Sequence, residues 1–432
     1  MSQVTLLSPQ TLSLHPDPQR VVVRDFRPST DPRDLHPTDM RRMNHIVHRV
    51  LELDPQTARQ QLAQVLESFQ GRHRRLLATF EARTDSMEVT HSAQAPLTRV
   101  QRQLIGAYFL HEYSFEAAAL FNPSIVSHPD QSGVPSGQRR FILSLRAVGE
   151  GHVSSLTFRS GVLAVDGTVT VDPTAPLASI HCLQRRVPDA REDCIEVGFE
   201  PDSDISERVI FPVTEAQCHG IEDARFVDFD GNGGKTFYAT YTAYNGRAIR
   251  SELLETADFV RFRMTPLTGS AARNKGMALF PRRLDGRYAM IGRQDNENLY
   301  LIHSDDLYCW DEGVAILRPQ FPWEFVQIGN CGSPIELDEG WLLLTHGVGP
   351  MRRYSIGAVL LDKQDPSRVL ARSSEPLVRP ELSDREGYVP NVVYTCGAMR
   401  HGDRIVLPYA VCDTFSRFAT IEISVLLGAM RP

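Results

Sequence analysis

Apolar residues recur at helical spacing in one stretch of the chain and in short strand-like runs over most of the rest. Met43, Ile46, Val47, Val50 and Leu51 fall on one face of a helix, as do Leu62, Val65, Leu66 and Phe69, and then Leu104, Ile105, Tyr108 and Phe109. This period predicts amphipathic helices over residues 38–120. Residues 1–37 combine two β-prone runs, Val4 to Leu6 and Val21 to Val23, with six prolines, which predicts an extended arm. Within the helical stretch, Arg72-His73-Arg74-Arg75 reads as a solvated helix face in preference to a polyanion site.

Over residues 121–432 the helical period fades. Strand-like runs replace it, including Phe141 to Leu145, Phe237 to Tyr244, Tyr288 to Ile291, Trp341 to Thr345 and Ile405 to Tyr409. Turns precede the last four near Gly231, Gly286, Glu339 and Gly402, roughly 53 to 63 residues apart. That separation suits a propeller blade better than a single hairpin, and the stretch holds about five such units. The expected fold is therefore mainly β: a five-bladed β-propeller over 121–432, with a helical segment over 38–120 and an extended arm over 1–37. An irregular β-sandwich is the alternative. In a propeller the innermost strands of all blades face one channel, so polar residues far apart in sequence converge there.

Composition narrows the function classes. The chain has 432 residues, 42% hydrophobic and 23% charged, with a formal charge of −7, as expected of a folded protein with no general attraction to nucleic acid or anionic membranes. Its seven cysteines are dispersed and form no C-x-x-C pair, which argues against a disulfide framework or zinc knuckle. No apolar run approaches the roughly 18 residues of a spanning helix, and Met1-Ser2-Gln3-Val4 begins no signal peptide. A cytoplasmic enzyme is expected. No metal is expected either: among fourteen histidines, His45 and His48 share a helix face but lack a third ligand nearby. Gly231, Gly233 and Gly234 belong to a β-turn, so they form no nucleotide-binding loop.

The strongest local signal is His219-Gly220-Ile221-Glu222-Asp223-Ala224-Arg225, leading into the strand that ends at Tyr244. Of two adjacent carboxyl groups, one can pair with the guanidinium while the other is left to hold or lose a proton, as acid catalysis requires. A purely structural Glu222–Arg225 pair fits the same residues. A second cluster holds Asn274-Lys275-Gly276, then Arg293, Asp295 and Asn298; a third holds His346 with Arg352, Arg353 and Tyr354. Brought together on one channel, these cations would make an anion pocket in an acidic protein.

The runs Gly-Ile-Glu-Asp-Ala-Arg (220–225), Tyr-Thr-Ala-Tyr (241–244), Asn-Lys-Gly-Met-Ala-Leu-Phe-Pro (274–281), Asp-Leu-Tyr-Cys-Trp (306–310), Gly-Trp-Leu-Leu-Leu-Thr-His-Gly-Val (340–348), Glu-Gly-Tyr-Val-Pro-Asn-Val-Val (386–393) and Cys-Asp-Thr (412–414) resemble, in order, the blade motifs of glycoside hydrolase family 130, the β-mannoside phosphorylases and β-mannosidases. The resemblance implies a five-bladed propeller with a mannosyl unit at its axis and inversion at the anomeric carbon. Asp223 matches the catalytic acid, whose proton travels through a hydroxyl of the bound sugar. Asn122, Arg146, Glu222, Arg225, Tyr244, Asp295 and Asp413 are the substrate-binding candidates, and Lys275, Arg293, His346, Arg353 and Tyr354 match the phosphate cage of the phosphorylases. Ala224 stands where the family usually has proline, and compact members lack the helical segment.

Inversion by single displacement needs an acid on the leaving group and a nucleophile on the opposite face. A phosphate nucleophile needs cations, whereas water needs a carboxylate base. The resemblance of these cations to the phosphorylases' phosphate cage implies an enzyme that phosphorolyses β-mannosidic linkages of manno-oligosaccharides to mannose 1-phosphate, with inorganic phosphate as co-substrate and no cofactor. The alternatives are an inverting β-mannosidase, with Glu222, Glu297 or Glu386 as base, and a non-catalytic sugar-binding propeller using Trp323 and Tyr354. The helical segment is expected to cap the propeller or to help form a homo-oligomer.

Overall fold

The computed structural model describes residues 6–28, 41–87, 96–186, 194–231, 234–382 and 384–431. Val4 of the first β-prone run, and Asn232 and Gly233 of the turn before Phe237, lie outside the described residues. Two compact units divide the chain: Met1–Pro18, Phe115–Ala175 and His181–Pro432 form one, Gln19–Ser114 and Pro176–Ile180 the other. The strand β1 (Ser8–Leu14) belongs to the larger unit.

The smaller unit holds β2 (Val21–Asp25), the helices α1 (Arg41–Leu51), α2 (Pro55–Phe69), α3 (Leu76–Asp85) and α4 (Arg99–Tyr108), and β3 (Leu110–Ser114), which pairs antiparallel with β2. Local chemistry sets the helix starts. Asp54 accepts hydrogen bonds from the backbone N–H groups of Gln56 and Thr57 ahead of Pro55, and Thr98 forms a reciprocal capping box with Gln101. The apolar stripes of α1 and α4 meet in a core of Val47, Val50, Leu104, Ile105 and Phe109. A Cβ on Gly106 would lie 1.9 Å from the Phe80 carbonyl oxygen, so α4 and α3 touch backbone to backbone. The basic stretch 72–75 differs from expectation. It is a turn between α2 and α3, entered through Gly71 at φ 84°, and the turn sends His73 inward. Arg72 and His73 each lie 2.7 Å from Glu112 of β3. His45 and His48 are exposed on α1.

The larger unit is mainly β. Its strands are β4 (Ala119–Ser127), β5 (Arg139–Val148), β6 (Ser154–Leu163) and β7 (Val169–Val171); after the short β8 (Ser179–Ile180) of the smaller unit come β9 (Cys182–Arg186), β10 (Ile195–Gly198) and β11 (Arg208–Ile210). Then follow β12 (Gly220–Gly231), β13 (Gly234–Tyr244), β14 (Ile249–Thr256) and β15 (Arg261–Pro266); β16 (Ala278–Leu279), β17 (Tyr288–Gly292), β18 (Leu299–Ser304) and β19 (Gly313–Leu317); β20 (Gln327–Asn330), β21 (Ile335–Glu336), β22 (Trp341–Gly349), β23 (Arg353–Leu361) and β24 (Val369–Arg372). The last are β25 (Val393–Tyr394), β26 (Met399–His401), β27 (Arg404–Val411) and β28 (Phe415–Glu422), before a short helix α5 (Ile423–Ala429).

These strands make five antiparallel groups. They are β4-β5-β6-β7, β12-β13-β14-β15 with β10 and β9 added at its edge, β16-β17-β18-β19, β20-β22-β23-β24, and β25-β27-β28-β1. A parallel pair, Ser154 with Gly220, joins the first two groups. Each group packs on the next: β4 on β12, β13 on β16, β17 and β18 on β20, and β23 on β25, while β27 and β28 of the fifth return to β4 of the first. Apolar cores fill the successive contacts. Met290 and Trp310 pack with Phe229, Trp341 with Phe280 and Ile291, Ile405 with Leu342, and Ala410 with Phe121. All nine residues of β22 are buried, which is why Trp341-Leu342-Leu343-Leu344 reads as a continuous apolar run instead of alternating. No helix among the described residues is long and apolar enough to cross a membrane.

Candidate active site

Two irregular strands bring the central carboxylates together. The β4–β5 register slips between Phe121 and Ser124, and the β12–β13 register slips between Glu222 and Arg225. Inside the slips, Asn122 and Asp223 both take a left-handed backbone, at φ 48° and 54°. Such bulges re-aim a side chain that a regular pleat would send elsewhere, and strain of this kind concentrates at functional sites. Pro123 follows Asn122, but Ala224 follows Asp223; the bulge at 223 therefore forms without the proline usual in the family it resembles.

The two bulged residues touch. Asn122 Nδ2 donates to Asp223 Oδ1 at 2.7 Å, and Arg146 donates Nη1 to the same oxygen at 3.3 Å and Nη2 to Glu222 Oε1 at 2.7 Å. The Arg146 guanidinium lies 5.0 Å from the centre of the Phe121 ring. On the far side, Lys275 Nζ stands 3.7 Å from Glu222 Oε2. Arg225 does not pair with Glu222. Its Nη1 donates to the backbone carbonyl of Asp223 at 2.9 Å and its Nη2 to the Tyr394 hydroxyl at 2.8 Å.

Tyr394 links this cluster to a second. Its ring meets His346 edge-on at 4.9 Å, His346 stacks on Tyr354 at 5.7 Å, and Arg293 Nη1 donates to His346 Nε2 at 3.4 Å. Burial, followed by the charges of Arg293 and Arg225, holds His346 well below its ordinary range, so the imidazole is neutral. Several polar atoms here are buried without a hydrogen-bond partner among the described residues: Asn122 Oδ1 and the Nε groups of Arg146, Arg225 and Arg293. Unmet donors in one place suit an anionic, hydroxyl-bearing ligand.

Charge separates the carboxyl groups. Burial pushes Asp223 up, but Arg146, Lys275, Arg225 and the Asn122 hydrogen bond outweigh it and bring Asp223 to about 2. Asp413, in the β27–β28 turn at φ 48°, moves the other way. Burial raises it to about 7, against Arg146 and Arg352 and with help from the negative charges of Asp223 and Glu222.

Asn122, Arg146, Glu222, Asp223, Arg225, Lys275, Arg293, His346, Tyr354 and Asp413 thus belong to one connected neighbourhood. Three candidates stand apart. Asp295 is exposed, and its carboxylate is used up in its own turn, accepting from the N–H groups of Glu297 and Asn298, from Asn298 Nδ2 and from the Tyr300 hydroxyl. Tyr244 ends β13 with its ring edge-on to His219 at 6.1 Å. Arg353 is exposed at the start of β23; neighbouring strand residues point to opposite faces, so with Tyr354 turned to His346 it faces away. Its neighbour Arg352, in a turn of two left-handed residues with Met351, is the guanidinium whose charge reaches Asp413. Glu297 and Glu386 are exposed. Trp323, half-buried, packs against Gly347 and Gly357, where an added Cβ would fall 2.5 Å from its ring, and donates its indole N–H to the Ser374 carbonyl. The hub Tyr394 gave no signal in sequence beyond its place in the Val-Val-Tyr run. Among the described residues no cluster of three His, Cys, Asp or Glu could hold a metal ion.

A family model described as beta-1,4-mannooligosaccharide phosphorylase, that of glycoside hydrolase family 130, matches residues 200–431. The chain belongs to this family. A 1,2-beta-oligomannan phosphorylase from Thermoanaerobacter sp. is 35% identical over 215 residues, 49% of this chain and 71% of the relative. A beta-1,2-mannobiose phosphorylase from Listeria innocua is 31% identical over 228 residues, 50% of this chain and 62% of the relative. A solved structure of the Listeria innocua beta-1,2-mannobiose phosphorylase with beta-1,2-mannobiose matches the fold with a TM-score of 0.54 at 22% identity, over 72% of this chain and 92% of that one. Family 130 membership thus attaches to the sheet-forming part that carries Asp223, and the matched region of the family model begins after the helical unit.

Proposed function

We propose that the protein is an inverting β-mannoside phosphorylase, with a five-bladed propeller as scaffold and the cluster around Asp223 as active site. The scaffold reading is supported by five antiparallel groups that touch in order, the fifth returning to the first. β-1,2-Linked mannosides are the substrate class, in line with the activities named for the two relatives.

One observation favours phosphate over water. The neighbourhood gathers five basic side chains, Arg146, Arg225, Lys275, Arg293 and Arg352, around three carboxyl groups, one of which, Asp413, is raised to about 7. A local positive excess in a chain of charge −7 fits an anionic nucleophile. Of the carboxylates considered as bases for water, Glu222 is tied between Arg146 and Lys275, and Glu297 and Glu386 are exposed. Inversion then runs in one displacement: a phosphate oxygen forms the bond to the anomeric carbon as the bond to the leaving sugar oxygen breaks, and that oxygen takes a proton originating at Asp223. At about 2, Asp223 is an anion at neutral pH; phosphate among Lys275, Arg225 and Arg293 would offset the cations that hold its pKa down and so raise its affinity for the proton it delivers.

The test is consumption of β-1,2-mannobiose with and without phosphate. Phosphate-dependent turnover that falls by three orders of magnitude or more in Asp223→Asn supports the reading; turnover indifferent to phosphate contradicts it.

A further inference from the structure

One exposed aromatic ring beside the carboxylates is held more firmly than its exposure requires. Tyr388 is 42% exposed. Its backbone N–H donates to Thr414 Oγ1 at 2.8 Å and that of Val389 to the Cys412 carbonyl at 2.9 Å, so the segment is fastened on both sides of Asp413. The fit is close: a Cβ on Gly387 would lie 2.5 Å from Cys412 Cβ and from Thr414 Oγ1. The Tyr388 hydroxyl shares a 2.7 Å hydrogen bond with His152 Nδ1, and His152 reaches it from a left-handed position, φ 60°, directly after Gly151 at φ 69°. Finally, the Tyr388 ring lies 6.5 Å from Phe121, the ring beneath Arg146.

A tyrosine serving only to fill space would be buried, and one serving only solubility would be free to rotate. This ring is partly open to solvent yet fixed at its backbone and its hydroxyl, with the rings of Phe121 and His152 tilted beside it at 6.5 and 5.7 Å. Pinning removes the rotamer entropy that a partner would otherwise have to overcome, and an aromatic face is the apolar surface that suits the C–H face of a pyranose. We infer that Tyr388, held by His152, is the stacking platform for the acceptor sugar, the unit on the leaving side of the scissile bond, and so helps set acceptor preference. This rests on the reading of the Asp223 cluster as a mannoside site but not on whether the nucleophile is phosphate or water.

The test separates the two. In an Asp223→Asn background, which suppresses turnover, calorimetry compares β-1,2-mannobiose with mannose. Tyr388→Ala is expected to weaken mannobiose binding about tenfold and mannose binding less than twofold, while Tyr388→Trp, which keeps an aromatic face, retains mannobiose affinity within about threefold. His152→Ala, which frees the ring without removing it, is expected to fall between wild type and Tyr388→Ala. Equal loss for both sugars, or no loss for mannobiose, overturns the inference. A wild-type protein that cleaves mannobiose without phosphate would refute phosphorolysis and leave this comparison standing.

Discussion

Two carboxyl groups that share the field of Arg146 titrate in opposite directions, and each direction has a consequence. Asp413, raised to about 7, holds a proton in the folded state that the unfolded chain releases near its ordinary 3.8. The folded state therefore binds more protons between those values, and stability falls as pH rises toward and through 7. Asp413→Asn keeps the neutral form at every pH. Its melting temperature relative to wild type is expected to be about 2–4 °C higher at pH 8 than at pH 5, the gap closing only below the unfolded value of 3.8; the same shift at both pH values would refute the assignment. Arg293, 8% exposed with Nε unpaired, is expected to hold the anionic co-substrate. Arg293→Ala should raise the KM for phosphate about tenfold or more, the scale of a lost charged hydrogen bond, and leave the KM for mannobiose within about twofold. Sequence made the residue types legible but not their directions. Asp295 carries the right carboxylate for a sugar, yet four hydrogen bonds from residues 297 to 300 use it, and Asx turns give no long-range signal. Arg353 and Arg352 are indistinguishable as letters. With the backbone left-handed at 351 and 352, it is the guanidinium of Arg352 that lies over the Tyr354 ring, 5.6 Å from its centre, and whose charge reaches Asp413.

Among the elements, the legible strands share a position. Phe141–Leu145, Phe237–Tyr244, Tyr288–Ile291, Trp341–Thr345 and Ile405–Tyr409 fall on β5, β13, β17, β22 and β27, each within its group and flanked by a partner on both sides. Neighbouring groups pack on them, so these strands are mostly buried and read as apolar runs, long in four cases and five residues in β17. The strands preceding them can be very short: Ala278–Leu279 and Val393–Tyr394 have two residues each, too few for a period to be read. Site residues cluster on or beside such short or bulged strands, which is why the site needed family motifs to be found. Packing between elements is tight where glycine permits it. Gly357 of β23 leaves room for Trp323, and a Cβ there would also approach Ser373 Oγ to 3.0 Å. Gly357→Ala is expected to cost about 1–3 kcal/mol of unfolding free energy in a denaturant titration, with KM values unchanged; a variant as stable as wild type would show that the indole yields freely.

For the molecule as a whole, the strand nearest the N-terminus, β1, completes the sheet built by the last strands. Ser8 and Pro9 pair with Thr420 and Ala419, and beyond that pairing Gln10 clasps the first group, donating Nε2 to the Gly167 carbonyl and accepting from the Val169 N–H, both at 2.9 Å. Without β1, β28 would present an open edge. Gln10→Ala should lower stability by about 1–2 kcal/mol and leave kcat/KM unaltered, since it removes two hydrogen bonds remote from Asp223; unchanged stability would mean the clasp contributes nothing to holding β1 in place. The alternation of apolar runs and turns makes the five-part plan legible, whereas this joining of chain start to chain end follows from no local pattern. Phosphorus-31 NMR of the protein with β-1,2-mannobiose and inorganic phosphate separates phosphorolysis from hydrolysis in one sample. Phosphorolysis makes the phosphate resonance decline as an α-mannose 1-phosphate resonance grows in step with it, with inverted configuration at the anomeric carbon; free mannose accumulating beside an unchanged phosphate signal would refute it.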